Sequence, residues 1–178
     1  MPGANASLPV KIGLVTSGLI GLFILFSVLK GLVVGGPNLT PLVGLAQEQQ
    51  AIIHLTEASK RQKDLNVVNK NFATTAQASL TTSQTNIIKY LQLNGKKTAG
   101  KTLNAKVSTK IDEQLTAAAA AATYNQTFQD IMKTKLNTYM TDLKQAYQQT
   151  SGKKGRALLS ADYNQAQLLL TQLNTPVR

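Results

Sequence analysis

A chain of 178 residues, 43% of them hydrophobic, is long enough for one domain plus an appendage and has room for a single core. Without cysteine it has neither a disulfide framework nor a thiolate metal site, and with four Phe, five Tyr and no Trp it is a poor composition for a β-sandwich. The formal net charge of +11 points to anionic partners such as lipid headgroups, wall polymers or nucleic acid and says nothing of fold, although the same charge also serves an ordinary solvated surface.

Residues 12–29 read IGLVTSGLIGLFILFSVL without an ionisable side chain, and the apolar character resumes after Lys30 through Gly31, Leu32, Val33 and Val34. About 20 such residues cross a bilayer core, so residues 12–34 are expected to be a transmembrane helix. Lys30, near one end, can lay its stem along the helix and reach the headgroups. A cleaved signal peptide is the competing reading, but the run exceeds a signal core, and Val33 and Gly35 make a weak cleavage site. Ser17 and Gly21 are small-xxx-small, a frequent coincidence in such helices. Lys11 and the amino terminus on one side, against Lys30 on the other, put the N-terminus in the cytoplasm by the positive-inside rule. The domain that follows is then extracytoplasmic.

The expected organisation is a tail over 1–11, the anchor over 12–34, a linker over 35–40 and a helical domain over 41–175. In the linker, Gly35-Gly36-Pro37 breaks the first helix, and Thr40 as N-cap with Pro41 behind it starts the next. That helix runs to about residue 63, with Leu42, Leu45, Gln49, Ile52 and Thr56 on one stripe. A second carries Leu65, Val68, Phe72, Ala76, Leu80, Ser83, Ile87 and Leu91 and stops at Asn94-Gly95. The KKTAGK stretch after it reads as a basic turn, since no strand precedes it to build a phosphate-binding loop.

A third helix is expected over 102–122, ending in the alanine run 117–122, with a break at Thr123-Tyr124-Asn125. A fourth over 126–150 places Phe128, Met132, Leu136, Tyr139, Leu143 and Tyr147 on one face. The last carries Leu159, Tyr163, Ala166, Leu170 and Leu173 and ends before Pro176. The fold class is thus all-α: an N-terminal transmembrane helix followed by an antiparallel four-helix bundle with a short extra helix.

The segments LVGLAQEQQAIIHL, NKNFATTAQASLTTSQ and YNQTFQDIMKTKLNTYMTDLKQAYQQ carry a resemblance over residues 40–173. The chain resembles a ferritin-like four-helix domain of uncharacterised function found in bacterial envelope proteins. Di-metal relatives need a Glu from each of two helices and Glu-x-x-His on two more. The corresponding faces here hold Thr75, Ala76 and Gln77 in one half and Lys133, Thr134 and Lys135 in the other, and lysine at pH 7 is no ligand. No cofactor is expected.

His54 and Glu57, at i and i+3 of one helix, are the one pair to weigh as metal ligands, against an ordinary surface pair. Asp112 and Glu113 are adjacent and point apart, and no Ser or Thr has a His-acid partner. The chain therefore reads as a binding or scaffolding protein and not an enzyme. Its candidate contacts for an anionic envelope polymer or a protein partner are Lys96, Lys97 and Lys101 with Lys153, Lys154 and Arg156, both groups in interhelical loops. The runner-up function is a ferritin-like metal store or enzyme. A pilin-like subunit fits less well, for want of an acid at the start of the apolar run. No helix has the basic, reader-bearing face that sequence-specific nucleic-acid binding requires.

Overall fold

The structure is a computed structural model, and it describes residues 38–175. The anchor expected over 12–34 lies outside the described residues, among which no helix is long and apolar enough to cross a membrane. Everything described is helix or connection: α1 (Thr40–Lys60), α2 (Val67–Leu93), α3 (Gly100–Leu103), a 3-10 turn (Asn104–Lys106), α4 (Thr109–Ala120), α5 (Tyr124–Gln149) and α6 (Lys153–Asn174).

Local chemistry sets the ends. Pro41 falls in the first turn of α1, where no amide hydrogen is needed, and the Asn38 side chain accepts from the Thr40 amide at 3.2 Å. Thr40 is therefore the first helical residue and not the cap. The helix stops at Lys60, three residues before the expected end. Asn66 caps α2, its Oδ1 accepting from the Asn69 amide at 2.8 Å. At the other end Gly95 takes φ 79° and Lys96 N–H donates to Leu91 C=O at 2.9 Å, the closure that needs a left-handed residue.

The four long helices pack around one core. α1 lies against α2 and α5, and α6 against α2 and α5. Cross-helix pairs fix the directions. Ser83 and Gln77 of α2 meet Gln49 and Glu57 of α1, and Tyr139 and Tyr124 of α5 meet Gln49 and Ser59, so each partner runs antiparallel to α1. Chain order is therefore up, down, down, up, and α2 and α5 sit diagonally. Short loops cannot make this arrangement, because α2 ends where α5 must also end. Residues 94–123 instead run the length of the packed helices as a crossover, touching α1 through Thr102 at Gln47, Lys106 at Glu48 and Asp112 at His54.

The helix expected over 102–122 is interrupted within that crossover. α3 and the 3-10 turn give way to extended backbone at Val107 and Ser108 before α4 begins. The alanine run buries only Ala118 and half-buries Ala119. It ends at Ala122, the one described non-glycine residue at positive φ, 57°, with Thr123 N–H closing onto Ala118 C=O at 2.9 Å.

Leu42, Leu45, Gln49, Ile52 and Thr56 are all buried, as their spacing predicts, and so are Phe128, Met132, Leu136, Tyr139 and Leu143. Four expected core residues are not. Val68 and Tyr147 are exposed, and Tyr163 and Leu170 are half-buried because Asp162 and Leu169 take the inward positions beside them.

Candidate functional site

The two basic groups come together at one end. Lys96 and Lys97 follow the close of α2 and Lys101 lies in α3, while Lys153, Lys154 and Arg156 open α6. Both groups neighbour Tyr90 near the end of α2: the Lys96 amide is bonded one residue beyond it, at Leu91, and a Cβ built on Gly155 would stand 3.0 Å from its hydroxyl. The chain enters α1 at this same end, where Asn38, Thr40 and Pro41 lie beside Gln145, Ala146 and Gln149 of α5. Five of the six cations are exposed and Lys154 is half-buried. None of them forms an ion pair among the described residues, where the paired lysines are Lys106 and Lys135. Arg156 lies over the Tyr147 ring at 5.3 Å and donates from Nε to Thr150 C=O, which holds its charge at the surface.

From Gly95 to Thr102 the chain also has the G-x-x-x-x-G-K-T spacing of nucleotide phosphate loops, which a reading as a plain turn passes over. That loop works when a strand delivers it and a helix presents its amides. Here the 27-residue α2 precedes it and α3 is only four residues long, so the element built is a basic, glycine-flanked turn.

His54 and Glu57, one turn apart on α1, engage different partners. The His54 Nε2 lies 3.3 Å from Asp112 Oδ2, in a cleft of about 350 Å³ that Arg61 and Tyr124 also line. Glu57 instead accepts from Gln77 Nε2 at 2.8 Å, and Gln77 Oε1 accepts from Lys60 at 2.7 Å. Spacing on α1 favoured Glu57, but the crossover delivers Asp112 from 58 residues away. Among the described residues no three His, Cys, Asp or Glu side chains are grouped to hold a metal ion. Of the positions read as vacated ligand sites, Ala76 is core, Gln77 is bonded to α1, and Lys135 pairs with Glu48.

Two polar features inside the fold were not singled out in the sequence. Glu48 is 3% exposed and pairs with Lys106 at 3.2 Å and Lys135 at 3.0 Å, with Asp142 3.6 Å from Lys106. Deeper in, each long helix contributes one buried polar side chain to a single knot: Gln49, Ser83, Tyr139 and Asp162. Gln49 Nε2 donates to both the Ser83 and the Tyr139 hydroxyl oxygens at 2.6 Å, which leaves both hydroxyl hydrogens free to point at Asp162. Burial raises the Asp162 carboxyl to about 7, against the opposing pull of those two hydroxyls, and burial, then the nearby Asp162 charge, pushes Tyr139 well above its ordinary range.

Comparison of the chain with family models, with curated proteins and with solved structures gives no match.

Proposed function

We propose that the chain is a membrane-anchored helical domain, held outside the cytoplasm by a span over 12–34, that binds or scaffolds at the bacterial envelope through its basic end. One observation carries the reading: six cations from two separate stretches of chain, Lys96 and Lys97 in a loop and the other four at helix starts, none ion-paired among the described residues, gather where the chain enters α1. A surface of one sign without internal partners attracts a polyanion and gives a contact that weakens with salt. The proposed activity is binding, with no catalytic step.

The ferritin-like resemblance belongs to this proposal as well. In its support stands the up-down-down-up order with one long crossover, the connection that ferritin-like bundles use. The metal-binding alternative has no equal support, because the ligand positions carry Thr75, Ala76, Gln77, Lys133, Thr134 and Lys135.

Full chain in detergent, titrated with inorganic polyphosphate and with uncharged dextran, tests the reading. Polyphosphate is expected to bind and dextran not, with affinity falling at least tenfold between 50 and 300 mM salt, on the order expected when several phosphate contacts are screened. Changing Lys96, Lys97, Lys101, Lys153, Lys154 and Arg156 together to Gln should abolish binding. Salt-insensitive binding, or binding undiminished in the six-fold variant, overturns it. Protease protection of the domain on intact cells would overturn its placement.

A further inference from the structure

We infer that Asp162 is a proton-binding site at the centre of the four helices, and that the packing of α6 against α2 and α5 depends on that proton. Asp162 is 2% exposed, and neither carboxylate oxygen completes a hydrogen bond among the described residues, although the Ser83 and Tyr139 hydroxyls lie beside it. Gln49 Oε1, in the same knot, is also unpartnered. A buried carboxylate with neither a countercharge nor full hydrogen bonding is the costliest form this site can take, whereas the neutral acid is both donor and acceptor and can bond to an unpartnered oxygen.

The groups facing it supply no positive charge. From α2 it meets Ser83 and from α5 Tyr139, with Gln49 of α1 behind them, and Tyr139 is itself an acid. The cations of the flanking helices are engaged elsewhere or turned outward: Lys135 pairs with Glu48, Lys144 lies over the Tyr163 ring at 5.2 Å, and Lys70 and Lys89 are exposed. Lys133 of α5 is half-buried and makes no ion pair with it, and Arg156, on α6 itself, is held over Tyr147.

The knot joins all four long helices, so its charge state acts on all of them. A neutral Asp162 closes the chain from the Gln49 amide through two hydroxyls to the carboxyl. Ionised, it draws water inward, and the contacts that yield are those of α6, which brings the charge. An acid whose carboxyl is raised on folding binds its proton more tightly folded than unfolded. The stability it confers is therefore complete below its ordinary 3.8 and is lost as pH rises through about 7. Gly155 and Leu158, toward the entry end of α6, are buried on the same helix, so loosening there also moves the basic end.

The full chain in detergent, with ¹³C-labelled Asp carboxyls, provides the test. One carboxyl signal should titrate near neutrality and be missing in Asp162→Asn. Amide exchange along α6 should speed up at least tenfold between pH 5 and pH 8 in the native chain, beyond the intrinsic pH effect, and stay flat in Asp162→Asn. Urea midpoints should fall over the same pH range in the native chain alone. If Asp162→Asn does not fold, the native-chain titration still decides. An Asp162 signal titrating below pH 5, or α6 exchange that follows only the intrinsic pH effect, overturns the inference.

Discussion

Lys106 Nζ lies 3.2 Å from Glu48 Oε2, and through that contact the crossover is tied to α1. Lys135 of α5 reaches the other oxygen of the same carboxylate at 3.0 Å, so one buried acid holds three segments that are far apart in the chain. The two lysines are unequal: Lys106 is 37% exposed and Lys135 21%, whereas Glu48 is 4% exposed along its side chain.

Removing either lysine leaves Glu48 a partner, and removing both leaves a buried charge with none. Lys106→Met and Lys135→Met are each expected to cost about 1 kcal/mol, since both ammonium groups keep contact with solvent. The double variant should cost about 3–5 kcal/mol, more than the sum. Urea denaturation of the four proteins gives the coupling directly. Strict additivity would show that Glu48 does not depend on these partners.

Two glycines make opposite predictions. Gly44 lies inside α1, and a Cβ there meets nothing within 4 Å. Gly44→Ala should stabilise the domain by about 0.5–1 kcal/mol through helix propensity and a less mobile unfolded chain. At Gly155 a Cβ would stand 2.6 Å from Thr150 Cγ2 and 3.0 Å from the Tyr90 hydroxyl. Gly155→Ala should therefore cost about 1–3 kcal/mol despite its better propensity, because Thr150 is fully buried and has little room to give. Thermal midpoints moving the same way in both variants would contradict the packing at one of the two sites.

Much of this fold is legible in the sequence, and its failures have physical causes. Apolar spacing finds the four long helices and even assigns Gln49, Thr56 and Ser83 to the interior, because a polar residue on an apolar stripe is carried inward with its neighbours. The same rule, followed to the end, would have found Asp162. Leu159, Asp162, Ala166, Leu169 and Leu173 recur at three and four and are all buried, whereas preferring Tyr163 to an aspartate selects the wrong stripe. The crossover is less legible. Its helices bury few residues, Leu115 and Ala118 in α4 and none in α3, so no period marks them, and the His54–Asp112 contact spans 58 residues that no local pattern connects. The gathering of the basic groups depends on that crossover, because it places the ends of α2 and α5 together.

At the opposite end of the helices, Asn125 fastens the α1–α2 connection to the start of α5. Its Oδ1 accepts from the Asn66 amide at 2.9 Å and from Asn69 Nδ2 at 3.0 Å, and its Nδ2 donates to Asp64 C=O at 2.8 Å. Asn69, 1% exposed, completes the set by accepting from Gln129 Nε2 at 2.9 Å. Asn125→Ala removes three bonds from a half-buried side chain, and Asn69→Ala empties a buried position and strands Gln129 Nε2. Each should cost about 1–3 kcal/mol, with Asn69→Ala at the upper end. Because they share a bond, the double variant should cost less than the sum. Equal, additive losses in urea titrations would mean that the two amides act independently.

Ala122 is the last test of the crossover. Its φ of 57° places a Cβ-bearing residue in the left-handed region, which costs roughly 1–2 kcal/mol in an L-residue, and the turn is retained because Thr123 N–H must close onto Ala118 C=O for α5 to start at Tyr124. Gly at this position removes the steric cost and adds freedom to the unfolded chain, two effects of opposite sign. The first is larger, so Ala122→Gly should raise stability by about 0.5–1 kcal/mol. Ala121→Gly, one residue earlier at φ −88°, has no such strain to relieve and should lower it. Denaturation midpoints that fall for both would show that the turn does not hold Ala122 left-handed.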